Sequence, residues 1–159
     1  MAISPNVTFV SGAVYTAAQA NRLPFGVCAR ASSSTNYTLT TSVVIATGMT
    51  ATFTAITGRL YKITYYEPFA GLPSVVSGNT NLTIRLNTAG GTALQSARAT
   101  SPAASASINP FTLVYVGTFT AGSVTVVGCA AVSATTGTPV LGRSGVTLAT
   151  FLVEDIGVS

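Results

Sequence analysis

Histidine and tryptophan are missing from this 159-residue sequence, and only Glu67, Glu154 and Asp155 are acidic. Without histidine, neither a Ser-His-Asp nor a Cys-His arrangement can be assembled. Glu154 and Asp155 are neighbours on an expected strand, so their side chains point to opposite faces and cannot make a carboxylate dyad. Nothing in the sequence brings Glu67 to either of them, and pairing with Arg or Lys near strand ends is the expected role of all three. Zinc needs Cys and His in numbers this chain does not have. Calcium needs several clustered carboxylates. The glycines sit singly or as Gly90-Gly91 in turns, with no phosphate-cradling motif. The expectation is no catalytic residue, no metal and no cofactor.

Charge of either sign is also scarce. Asp, Glu, Lys and Arg make up 6% of the chain, against about 25% in ordinary soluble domains. Apolar residues stand at 48%, so Thr, Ser, Gly and Asn have taken the place of charge. A free monomer of this kind has little electrostatic protection against association, which implies a surface largely covered by neighbouring subunits. The net charge of +4 arises from the lack of acids. The basic residues Arg22, Arg30, Arg59, Lys62, Arg85, Arg98 and Arg143 are dispersed, whereas a nucleic-acid face gathers them into a stripe. No nucleic-acid partner is expected.

Two further absences concern location. The opening Met-Ala-Ile-Ser-Pro-Asn has neither the basic nor the apolar region of a secretion signal. No apolar run approaches the roughly 18 residues of a membrane span. Synthesis in a cytoplasm and no membrane partner are expected. Cys28 and Cys129 lie among small or apolar residues; two buried thiols are the default and one disulfide the alternative.

What is present is β-forming sequence. Residues 25–30, 37–46, 50–55, 60–69, 81–87, 93–98, 111–120, 124–132 and 146–156 are rich in β-branched and aromatic types. Tyr61, Ile63 and Tyr65 alternate with Lys62, Thr64 and Tyr66, and Phe111, Leu113 and Tyr115 alternate with Thr112, Val114 and Val116. Period two with one apolar face describes antiparallel strands over a core. Breaks at Thr47-Gly48, Thr57-Gly58, Gly90-Gly91, Ala121-Gly122 and Thr136-Gly137 carry turn chemistry. About nine short strands of this kind predict an all-β, antiparallel, jelly-roll-like sandwich. Residues 70–80 and 99–110, rich in small residues, read as peripheral loops.

One helix is expected before the strands. Thr16-Ala17-Ala18-Gln19 has capping-box spacing, and Pro24 ends the helix. So short a helix must dock, with Leu23 and Phe25 as expected anchors. Residues 1–24 therefore read as an N-terminal arm with one short helix, and 25–159 as the sandwich domain. Phe9, Thr16, Gln19 and Leu23 are its candidate docking residues.

Some strand positions opposite the core face are apolar. Val114 and Val116, and Phe151 and Val153 beside Ala149, are read as outward-facing and covered by another subunit, hence as candidate interface residues. A second reading takes Tyr65, Tyr66 and Phe69 as stacking residues for a sugar, placed on a strand beside a long loop.

Three segments carry a resemblance. The opening 6–27 contains Gly12-Ala13-Val14-Tyr15-Thr16-Ala17-Ala18-Gln19-Ala20-Asn21 and Leu23-Pro24-Phe25-Gly26. The middle contains Phe53-Thr54-Ala55-Ile56-Thr57-Gly58-Arg59-Leu60-Tyr61-Lys62-Ile63, and the close is Leu152-Val153-Glu154-Asp155-Ile156-Gly157. Together they resemble small virion proteins of tailed bacteriophages, head-decoration (cement) and minor tail proteins. The resemblance implies a trimeric, tumour-necrosis-factor-like β-sandwich head in a virion. It also implies partners among the major capsid or tail proteins, and a host-surface glycan as a further one. Capsid decoration is the leading expectation; a minor tail, tail-tip or fibre-head protein is the alternative. The shared motifs are structural and carry no catalytic residue over.

Overall fold

A computed structural model of the chain describes residues 16–72, 78–101, 107–133 and 139–159. Phe9 and most of the expected arm lie outside the described residues.

Thr16 precedes a single helical turn, α1 (Ala17–Ala20). The amides of Ala20 and Asn21 donate to the carbonyls of Thr16 and Ala17 at 3.0 and 2.9 Å. The Gln19 side chain lies outside the described part. Ten strands follow among the described residues: β1 (Gly26–Ser33), β2 (Tyr37–Thr38), β3 (Val44–Ala55), β4 (Arg59–Leu72), β5 (Gly78–Leu86), β6 (Ala93–Ser101), β7 (Ser107–Gly117), β8 (Gly122–Val132), β9 (Val140–Leu141) and β10 (Ala149–Val158).

All strand pairs are antiparallel, in two sheets. The first runs β1-β10-β4-β7, with β9 taking over from β10 along β4 at Ala70 and Gly71 and carrying β2 beside it. The second runs β3-β8-β5-β6. Leaving aside the two-residue strands, consecutive strands alternate between the sheets except at the β5–β6 pair, the order of a jelly roll. The expected antiparallel jelly-roll sandwich is thus the fold of the chain.

The core lies between the sheets. Tyr61, Ile63 and Tyr65 from β4, Leu113 from β7, and Phe151 and Val153 from β10 meet Phe53, Met49, Leu82, Ile84 and Val126 from the second sheet. Phe53, Tyr61 and Phe119 cluster with ring centroids 4.9–5.9 Å apart, and Tyr65 meets Phe151 edge-on at 5.4 Å. Gly128 makes room for this packing, because a Cβ there would lie 3.0 Å from the Tyr65 ring.

Several expectations about extent are corrected. The run 37–46 is not one strand: β2 is two residues long, and β3 begins at Val44 and continues to Ala55. A bulge between Ile45 and Thr50 makes that continuity possible. At its centre Gly48 has φ +76 and lies so near Ser33 that a Cβ would come within 2.9 Å. The described residues of the two expected loops, 70–72, 78–80, 99–101 and 107–110, are strand. Residues 146–148 precede β10 and lie outside any strand, with Val146 almost fully exposed.

A buried arginine–carboxylate pair sits at each end of the first sheet; one ties the segment before β1 to it, and the other reaches across to the second sheet. At the α1 end, Arg59 Nε and Nη2 donate to the two carboxylate oxygens of Asp155. The same guanidinium donates to the carbonyls of Asn21 at 2.5 Å and Leu23 at 2.6 Å, and lies 3.7 Å from the Phe25 ring centroid. At the opposite end, Arg143 Nε and Nη2 hold Glu67, and Nη1 donates to the carbonyl of Thr47 at 2.7 Å. Tyr65 Oη donates to Glu67 at 2.6 Å. Each arginine spends its planar fork on one carboxylate and on carbonyls of other segments.

This changes how the N-terminal segment is held. Leu23 is 43% and Phe25 56% exposed, so neither is a buried anchor. Docking is polar instead: the carbonyls left open after the helical turn are taken up by Arg59.

Candidate interaction surface

The three acids are each engaged by a cation. Asp155 and Glu67 are in the buried pairs just described, and Glu154 meets Lys62 at 3.0 Å on the surface of the first sheet. Glu154 and Asp155 do point to opposite faces, one half-buried and outward, the other inward. Burial pushes the Asp155 carboxyl up. The Arg59 hydrogen bond and the amides of Gly157 and Phe25 outweigh it, leaving the group below its ordinary value. Burial, with Glu67 beside it, pushes the Tyr65 phenol well above its usual range. The carboxylates therefore build the sandwich.

Cys28 and Cys129 are both free and do not pair. Cys129 is buried, and burial pushes its thiol up to about 11. Cys28 is exposed, correcting the expectation of two buried thiols: the bulge between Val27 and Ala29 on the edge strand β1 turns it out. Shallow grooves lie around the α1 end. One of about 350 Å³ is lined by Asn21, Phe25, Ile56, Thr57, Arg59 and Val158, and its one ionisable side chain is already bound to Asp155. Among the described residues no group of three or more Cys, Asp or Glu could hold a metal.

The outer faces of the sheets are the remaining surface, and they differ. On the first sheet, register places Val116, Lys62, Glu154 and Val27 in one row across β7, β4, β10 and β1. The next row is Val114, Thr64, Leu152 and Arg30, and the next Thr112, Tyr66, Thr150 and Ser32. Val114 is 45% and Val116 49% exposed. Between Val114 and Leu152 the Thr64 hydroxyl is closed off from solvent. The charges in these three rows are one ion pair and Arg30 at the β1 edge.

On the second sheet the outward column of β3 is Thr50, Thr52 and Thr54; that of β8 is Ser123 and Thr125, then Val127, Cys129 and Ala131, which are buried. Hydrogen bonds cross its strands: Thr52 to Thr125 at 2.9 Å, Ser96 to Thr83 at 3.3 Å and Arg98 to Asn81 at 2.9 Å. Ile45 is a large apolar side chain exposed on it, at its margin.

The interface candidates separate accordingly. Val114 and Val116 are outward and adjacent. Phe151 and Val153 are fully buried, and that expectation is corrected. They form the inward column of β10 with Ala149 and Asp155, and the outward column is Thr150, Leu152, Glu154, Ile156 and Val158. Of the sugar-stacking candidates, Tyr65 is likewise fully buried, ring in the core and hydroxyl on Glu67. Tyr66 and Phe69 are exposed.

The functional residues missing from the sequence reading are Arg59 and Arg143. A signal for the first was present: Gly58-Arg59, Glu154-Asp155-Ile156-Gly157 and Asn21-Arg22-Leu23-Pro24 come from the three segments singled out in the sequence, and all three meet at the Arg59 guanidinium. Arg143 lies in a stretch of small residues without such a signature.

No protein-family model and no curated protein matches the chain. Solved structures that align with it include a xylan-binding domain from Paenibacillus barcinonensis, at 10% identity over 78% of this chain and 72% of that one, TM-score 0.32. A CBM4 structure aligns at 15% identity over 70% and 73%, TM-score 0.28. A chain of infectious bursal disease virus, Gx strain, aligns at 17% identity over 84% of this chain and 29% of that one, TM-score 0.32.

Proposed function

We propose that the chain is a non-enzymatic structural subunit of a tailed-bacteriophage virion, acting as a trimeric decoration (cement) protein on the capsid surface. The observation that carries this reading is how its few ionisable groups are used. Every carboxylate is bound to an arginine or lysine, and the buried two hold the ends of the sandwich. The segments that resemble virion proteins meet at one of those pairs, so what they share is a means of shaping the subunit. A protein whose work is to fit against neighbours needs a defined shape and apolar outer surface, and both are present.

Mass spectrometry and cryo-EM of virions from a phage encoding this chain test the proposal. The expected result is the chain as threefold density on the capsid shell. Density at the tail or its tip would replace decoration with the minor-tail alternative. Absence from purified virions would refute the structural reading altogether.

A further inference from the structure

We infer that copies of this chain meet through the outer face of the β1-β10-β4-β7 sheet, with Val114, Val116, Leu152 and Tyr66 around the Lys62–Glu154 pair as the contact. The occupant is a second copy of the same chain. The inference rests on the assembly reading above and assigns the surface that assembly uses.

Charge balance is the first reason for a second copy. In a ring of identical copies, an unpaired charge near the symmetry axis faces its own copies. Here the two charges in the middle of the face cancel within each subunit, across 3.0 Å. Arg30 is the one further charge in these rows, and it sits on the edge strand. A foreign partner recognised by charge would need an excess of one sign, which the middle of this face lacks.

Area is the second reason. Four strands about 4.8 Å apart and about eight residues long, at ~3.3 Å per residue, give roughly 500 Å² in projection. Side chains standing off a pleated surface expose more accessible area than that projection. The face is therefore of the order that a stable contact takes, about 800 Å² per partner. The third reason is the make-up of the centre: Val114 and Leu152 flank a Thr64 hydroxyl already closed off from solvent. Desolvating this face costs little in lost hydrogen bonds. The opposite face would have to give up hydration of its Thr, Ser, Asn and Arg groups.

The test compares the full-length chain with Val114→Asp and Leu152→Asp on this face and Thr52→Asp on the other, by sedimentation at micromolar concentration. Near-identical circular dichroism and melting show that the outward substitutions leave the fold intact. The expected result is an oligomeric parent and Thr52→Asp protein, with dissociation constants raised at least about tenfold in each first-face variant, since a buried unpaired carboxylate opposes contact. A monomeric parent, or first-face variants as associated as the parent, would overturn the inference. The outcomes separate from those of the proposed function. Virions that contain the chain while Val114→Asp and Leu152→Asp still associate would refute the face and leave the virion role standing. Virions without the chain would refute the role whatever the sedimentation shows.

Discussion

The two sheets share one core and present opposite outer surfaces. Inward, both contribute Leu, Ile, Val, Phe and Tyr. Outward, β3, β8, β5 and β6 expose Thr, Ser, Asn and Arg linked by cross-strand hydrogen bonds around a buried stripe of Val127, Cys129 and Ala131, while β7, β4 and β10 expose Val114, Val116 and Tyr66, with Leu152 between them, around a self-neutral ion pair. A sandwich needs only one apolar face per sheet. The exposed valines and tyrosine on one sheet therefore require a separate explanation, and in a chain with 6% charge the one proposed is contact with other copies. The polar sheet shows that low charge alone does not force apolar surface: Thr and Asn supply hydration instead.

The most damaging way to break this asymmetry is to unlock the sheets. Glu67 on β4 reaches Arg143, which in turn binds the Thr47 carbonyl in β3. Glu67→Ala leaves a buried guanidinium without its partner, and a loss of about 3–5 kcal/mol is expected, measured by urea unfolding. A loss below about 1 kcal/mol would show that the pair does not join the sheets.

Acid should act next, through Asp155. Its pKa is lowered in the folded chain, so its contribution is fully present above the unfolded value, about 3.9, and disappears as pH falls through the folded value. Stability of the parent should fall below about pH 4 and that of Asp155→Asn should fall less steeply over the same range. Equal slopes would remove Asp155 from the account.

A finer test bears on the apolar face itself. Lys62→Met leaves Glu154 unpaired on the proposed contact, so association should weaken while chain stability changes by less than about 1 kcal/mol. Adding Glu154→Met should restore association, because the face is again neutral. On the polar sheet, Thr125→Val removes the bond to Thr52 and should cost only about 0.5–1.5 kcal/mol, with no change in sedimentation. The smallest effect is chemical: in the native chain one thiol, Cys28, should react with a thiol reagent, and Cys129 only on unfolding. Two fast thiols would contradict the burial of Cys129 on β8.

Much of the sandwich was legible in the sequence, because β4 and β7 alternate clearly between apolar and polar columns. Tyr61, Ile63 and Tyr65 face the core and Val114 and Val116 face out, as read. Of the expected turn glycines, Gly58 and Gly122 lie at strand junctions with positive φ, while Gly48 has its positive φ inside the β3 bulge. β10 was not legible in phase: both its columns are mostly apolar, and the inward one contains Asp155. Period-two patterning cannot choose between them, and Phe151 and Val153 were assigned outward for that reason. Tyr65 was read both as core and as sugar contact; its alternation with Tyr66 was the better guide, since only one of two neighbours on a strand can be exposed. The docking of residues 21–25 was hidden for another reason. Hydrophobic patterning pointed to Leu23 and Phe25, whereas the attachment runs through backbone carbonyls, which leave no pattern in side-chain types.

The central claim is that this chain is built to be one of several copies packed through the apolar face of one sheet. Light scattering of the full-length chain at micromolar concentration tests it most directly. The account predicts a particle three times the 16.0 kDa chain mass. A single stable species at 16.0 kDa would contradict it.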